Sequence, residues 1–105
     1  MVKINGKEYG MVYTARARIA SSNWLANHEN VSVDEYRINR AVCMINAYNM
    51  MHGIDETVST DDFLDLPNRE IEKLLAEEKK QYDLDTKVEV EATPKKGKNA
   101  GSTKA

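Results

Sequence analysis

The sequence holds a single cysteine, Cys43. No disulfide can form within the chain, and a reducing compartment is the natural setting. No apolar run approaches the ~20 residues of a membrane-spanning helix. The opening Met-Val-Lys-Ile-Asn-Gly turns polar at once, unlike a secretory signal, so a cytoplasmic protein without membrane association is expected. Charge of neither sign dominates: the net charge of −2 is too small to imply a strongly charged partner. Aromatic residues make up 7 % of the chain and hydrophobic residues 41 %, so 105 residues support one domain with a modest core.

The usual carriers of chemistry are also missing. His28 and His52 are the two histidines, and neither has a cysteine or carboxylate at metal-ligand spacing. His52 falls at a predicted helix C-terminus, where a cation is favoured in any case. The acids Asp55, Glu56, Asp61, Asp62 and Asp65 do not follow the spacing of a calcium-binding loop. They read as helix-start charge and solvated surface. There is no phosphate-cradling glycine loop, nucleophile elbow or supported carboxylate pair. Cys43 falls in the middle of the strongest predicted helix, whereas thiolate chemistry needs a partly exposed, electropositive site. It reads as a small buried hydrophobe. No catalytic, cofactor-binding or metal-binding residue is assigned, and a protein that is not an enzyme is expected.

What is there is organised around residues 32–53. Ser32 followed three residues later by Glu35 is a capping box, which supplies partners for two unpaired amides at a helix start. Asp34 and Glu35 complement the positive end of the helix dipole. Gly53 provides a left-handed stop. In between, Val33, Tyr36, Ile38, Ala41, Val42, Ile45, Tyr48 and Met51 recur at helical spacing, and Cys43, Met44, Ala47 and Met50 widen the apolar surface beyond one stripe. Such a helix must be covered, either by the rest of the chain or by a partner.

Before it, residues 2–13 read as a β-hairpin. Val2 and Ile4 alternate with Lys3, Met11, Val12 and Tyr13 suggest the return strand, and Asn5-Gly6 is the turn, since both residues tolerate positive φ. Gly10 suggests a bulge or a sharper twist. Thr14 is placed to cap a helix through Ala26, with Ala17, Ala20, Trp24 and Leu25 as its apolar face and Ile19 to one side. After Gly53, Ser59 or Thr60 is placed to cap a short helix holding Phe63 and Leu64. Pro67 precedes a last helix over residues 68–82, whose stripe of Ile71, Leu74, Leu75 and Tyr82 is broken at Glu78. Tyr36, Val42, Ile45 and Leu74 are the expected core. The expectation is a mainly α protein: a small helical bundle with an N-terminal β-hairpin over residues 1–82, and a flexible, disordered tail over 83–105. Within that tail, Lys-Val-Glu-Val-Glu (87–91) suggests a transient strand.

Residues 1–82 hold 10 Lys and Arg against 13 Asp and Glu, a net −3; from Ala92 onward there are four lysines and no acid. Arg16, Arg18, Arg37 and Arg40 fall on the first two helices, which loosely suggests a helix-turn-helix unit. The acidic body weakens the electrostatic footprint of duplex binding, so nucleic acid is not the expected partner and a solvated basic face is.

The order of parts resembles the tail assembly chaperones of long non-contractile-tailed phages. The resembling features are the Ile-Asn-Gly-Lys-Glu-Tyr hairpin (4–9), the Thr-capped helix, the long helix ending in Gly53-Ile54, and Val-Ser-Thr-Asp-Asp-Phe-Leu-Asp-Leu (58–66) before a charged helix. The resemblance implies a non-enzymatic protein in the host-cell cytoplasm that binds the tape-measure protein during tail assembly. It also implies homo-oligomers and a longer frameshifted product in some relatives. The residues themselves suggest an interaction protein. Met44, Met50, Met51 and Trp24 are the candidate partner-binding residues, the methionines because unbranched thioethers adapt to varied surfaces or fill irregular cores. The alternatives are a small DNA-binding or regulatory protein using the four arginines, and a minor virion structural or connector protein.

Overall fold

The computed structural model describes residues 1–87. The elements run β1 (Val2–Ile4), β2 (Lys7–Tyr9), α1 (Ala15–Ala26), α2 (Val33–Met51), α3 (Asp61–Leu64) and α4 (Asn68–Thr86). The fold is mainly helical with a short antiparallel hairpin at the N-terminus. The expected strand after Lys87 and the tail from Thr93 lie outside the described residues.

The hairpin turn is as expected, but its second strand is not. Asn5 and Gly6 both take positive φ, 51° and 86°, and pair Ile4 with Lys7, Lys3 with Glu8 and Val2 with Tyr9. A two-residue turn leaves no slack, so the return strand begins at Lys7, four residues before the expected one. Residues 10–13 instead lie against α2 without joining a strand. The Val12 amide donates to the Met44 carbonyl (3.2 Å), and Gly10 is buried beneath the Tyr48 ring. Gly10 is thus a point of close approach rather than a bulge. A Cβ there would overlap Tyr48 Cε1, Cζ and Cδ1. Gly10→Ala is expected to cost about 1–3 kcal/mol as an overpacking change. Chemical denaturation measures it, and the same substitution in a Tyr48→Leu background should lose most of the effect.

Glu70 of α4 holds the hairpin turn. Its Oε1 accepts from the Asn5 amide (2.7 Å) and from Lys73 Nζ (3.0 Å). The Asn5 amide and then Lys73 hold the Glu70 carboxyl below its ordinary value. A carboxylate depressed in the folded state contributes stability in full above its unfolded pKa and loses it as the pH falls through the folded one. Urea midpoints between about pH 6 and pH 3 should fall less steeply for Glu70→Gln than for the parent. Parallel curves would show that the contact does not discriminate between protonation states.

The caps of the two long-range helices follow the expected chemistry. Thr14 Oγ1 accepts from the Ala17 amide (3.3 Å), Ser32 Oγ from the Glu35 amide (3.0 Å), and Gly53 takes φ 67° past the end of α2. α1 buries Ala17 and Ser21 and half-buries Trp24, positions on one stripe; Ala20 and Leu25 are exposed. Leu25 lies ~80° round the helix from Ala17. Ser21 is tolerated inside because its hydroxyl donates to the Arg18 carbonyl (3.1 Å). α3 starts differently from either expectation. Thr60 makes no side-chain cap, and Asp62 reaches back to accept from the Ser59 amide (2.8 Å).

The core gathers Ile4, Met11, Ala17, Val58, Phe63, Leu74 and Leu75 around Ile38, Ala41, Val42, Met44, Ile45 and Ala47 of α2. Val42, Ile45 and Leu74 are core as expected. Tyr36 is half-buried instead, with the Arg40 guanidinium 5.5 Å from its ring centroid. α4 continues four residues past the expected Tyr82. Thr86 Oγ1 donates to the Tyr82 carbonyl (2.6 Å), Asp85 accepts from the Tyr13 amide (2.8 Å), and the Tyr13 and Tyr82 rings meet at 4.9 Å. These contacts tie the last turn of α4 to the start of α1.

Candidate partner-binding groove

An open groove with a cavity volume of about 520 Å³ runs between α1 and the segment leading into α3. Its floor is α2, through Asn39, Val42, Cys43 and Asn46. Trp24 stands on the α1 wall, stacked on His28 at 4.1 Å between ring centroids, with His28 Nδ1 donating to the Trp24 carbonyl (2.7 Å). A matching pair, Tyr48 and His52, stacks at 4.0 Å at the end of α2. An aromatic residue followed four positions later by histidine therefore closes both helices. His52 Nδ1 donates to the Tyr48 carbonyl (2.9 Å), which caps the end of α2.

The opposite wall is held in place by asparagines. Asn46 Nδ2 donates to the Val58 carbonyl (2.9 Å), and its Oδ1 accepts from the Val58 amide (2.8 Å), as a neighbouring β-strand would do. Asn39 donates to Thr60 Oγ1 (3.0 Å) and Asn49 to the Glu56 carbonyl (3.1 Å). Three asparagines spaced along an apolar helix were the available signal for this clamp, since a polar side chain on a covered face needs a partner. Lys7 of β2 adds a salt bridge to Glu56.

Cys43 is half-buried on the groove floor, and burial pushes its thiol up to about 11. The sulfur donates to Asn39 Oδ1 (3.6 Å). At neutral pH it is a neutral thiol, and it gives the groove a small apolar lining rather than a nucleophile.

The four candidate partner-binding residues separate. Trp24 is half-buried and lines the groove. Met50 and Met51 are exposed, 61 % and 64 % respectively. Met44 is not a surface residue: it is 0 % exposed, enclosed in the core. The broad apolar surface of α2 is mostly covered by its own chain, leaving Val33 at one end and Met50 and Met51 at the other as its exposed large hydrophobics. α1, α4 and the segment through Gly10 and Val12 together close it.

The arginines separate too. Arg16 and Arg18 are exposed, but Arg37 and Arg40 do not belong to a solvated basic face. Both reach Glu78 of α4, which is 0 % exposed. Arg37 Nε and Nη2 donate to Oε1 (2.9 and 2.7 Å), Arg40 Nε donates to Oε2 (2.6 Å), and Arg37 Nη2 also meets the Leu75 carbonyl (3.0 Å). The Arg40 guanidinium lies 3.9 Å from the Tyr82 ring centroid. The acid that breaks the stripe of α4 is thus a buried bridge between two cations of α2.

Among the described residues, no three His, Cys, Asp or Glu side chains stand together as metal ligands, and no helix is long and apolar enough to cross a membrane. Comparison with known protein families, with curated proteins and with solved structures finds no match.

Proposed function

We propose that this chain is a non-enzymatic tail assembly chaperone, which holds a long helical partner, a tape-measure protein, in the groove and along the methionines that continue from it. The observation that carries the reading is that the groove and an exposed methionine share one side of α2. Cys43 lines the groove floor, and Met50, seven residues on, lies ~20° from it round the helix. The open groove, Trp24 on its wall and the exposed Met50 therefore follow one side of the protein, with Met51 and the exposed Ile54 beside its end. An apolar track with an aromatic anchor suits the face of an amphipathic helix, and thioethers adapt to successive turns of a long one. The order of hairpin, capped helices and charged helix, similar to that of phage tail assembly chaperones, supports the class of partner. The regulator reading loses support, because Arg37 and Arg40 are engaged by Glu78.

Co-expression with a candidate tape-measure protein tests the assignment. The long partner should be soluble only in the presence of this chain and should co-elute with it on gel filtration. Met50→Gln with Met51→Gln, both at exposed positions, should reduce complex formation about tenfold or more while leaving thermal unfolding nearly unchanged. Equal solubility of the partner with and without the chain, and no complex, would remove the assignment. Recovery of the chain in finished particles would favour the virion connector instead.

A further inference from the structure

We propose that in the free protein the Trp24 groove is occupied by the lysine-bearing segment 92–105 of the same chain. This goes beyond the chaperone reading and does not depend on the identity of the partner.

The charged side chains that line the groove are acidic. Glu35 and Asp61 line it, and no Lys or Arg does. The two stretches that border it beyond α1, residues 26–35 and 54–66, carry three and five acids and no Lys or Arg. Trp24 adds an indole ring, which attracts an ammonium group to its face. The segment is complementary: from Ala92 to the last residue there are four lysines, Lys95, Lys96, Lys98 and Lys104, and no acid.

The chain also leaves the body within reach. Asp85 accepts from the Tyr13 amide, and Asp85 and Thr86 line a cavity with Ala15 and Arg18, so α4 ends beside the first turn of α1. Trp24 lies nine residues along α1 from Ala15, a rise of ~14 Å. Lys95 follows Lys87 by eight residues, which span up to ~26 Å when extended. A tethered segment meets such a groove at an effective concentration on the order of millimolar, so several weak contacts acting together, ion pairs and a cation over the Trp24 ring, achieve an occupancy for which a separate molecule would need higher affinity. The consequence is regulatory: a helical partner enters the groove by displacing the lysines.

The protein carries two built-in reporters, because Trp24 is its one tryptophan and Cys43 its one cysteine, and both line the groove. The test compares the full chain with a full-length variant carrying Lys95→Glu, Lys96→Glu, Lys98→Glu and Lys104→Glu. Acrylamide quenching of Trp24 and the rate of N-ethylmaleimide addition to Cys43 are measured at low and high salt. At low salt both should rise severalfold in the variant, with unchanged thermal unfolding, and the difference should shrink at high salt as the ion pairs are screened. Glu35→Gln with Asp61→Asn in the parent should reproduce the variant's rates. Equal rates in parent and variant at low salt would overturn the proposal. Protection that grows with protein concentration would assign the segment to the groove of a second copy and overturn the intramolecular form.

Discussion

Glu78→Ala is expected to remove about 3–5 kcal/mol of folding stability, the range for taking one partner from a buried ion pair. A carboxylate with no exposure loses its hydration on folding, a cost of several kcal/mol. Three charge-assisted hydrogen bonds from two guanidinium groups offset that cost, and the Tyr82 ring beneath Arg40 adds to it. Without Glu78 the network is left with two cations and no anion. Their side chains are only 28 % and 15 % exposed, so water replaces the carboxylate incompletely. Set against a total of roughly 5–15 kcal/mol for a domain of this kind, the loss would leave the protein marginal. Urea unfolding measures it directly. Glu78→Gln, which keeps the shape and removes the charge, should be intermediate. Replacing Arg37, Arg40 and Glu78 together with apolar residues of similar volume should recover much of the loss, because no charge is then stranded. A Glu78→Ala variant within about 0.5 kcal/mol of the parent would show that the bridge contributes nothing net.

Ile45→Ala is expected to cost about 2–5 kcal/mol. Ile45 is fully enclosed in the core cluster of α2, with Met44 and Leu74 equally enclosed in it. The lost transfer energy sets the lower part of that range, and the cavity left behind sets the upper part. An unbranched methionine in the same core can swing into part of the space, which argues for the middle of the range over its top. The comparison residue is Met50, on the same helix but exposed: Met50→Ala should change stability by less than about 0.5 kcal/mol. Equal losses at the two positions would mean that α2 is covered over its whole length in solution.

What the sequence determined by itself is the set of features written in short-range chemistry. Asn5-Gly6 made the turn, Thr14 and Ser32 capped α1 and α2, and Gly53 ended α2, because each acts on backbone groups a few residues away. The existence and order of the helices followed from the same local signals. The tertiary structure alone decided the rest. Glu78 meets Arg37 and Arg40 across 41 and 38 residues of chain, so the sequence showed only an acid interrupting a stripe and arginines on another helix. Met44 and Met50 are the same residue type on the same helix, one enclosed and the other exposed. The two stand six residues apart, ~120° round the helix, and the rest of the chain packs on the side that carries Met44 and leaves the side that carries Met50 open. The groove likewise depends on Asn46 holding Val58 twelve residues away, a pairing set by where the chain returns after α2. Local patterning specifies how a helix begins, which way it can face and where it stops. Which parts of that face remain open depends on what crosses it, and the crossing is set by the packing of the whole chain.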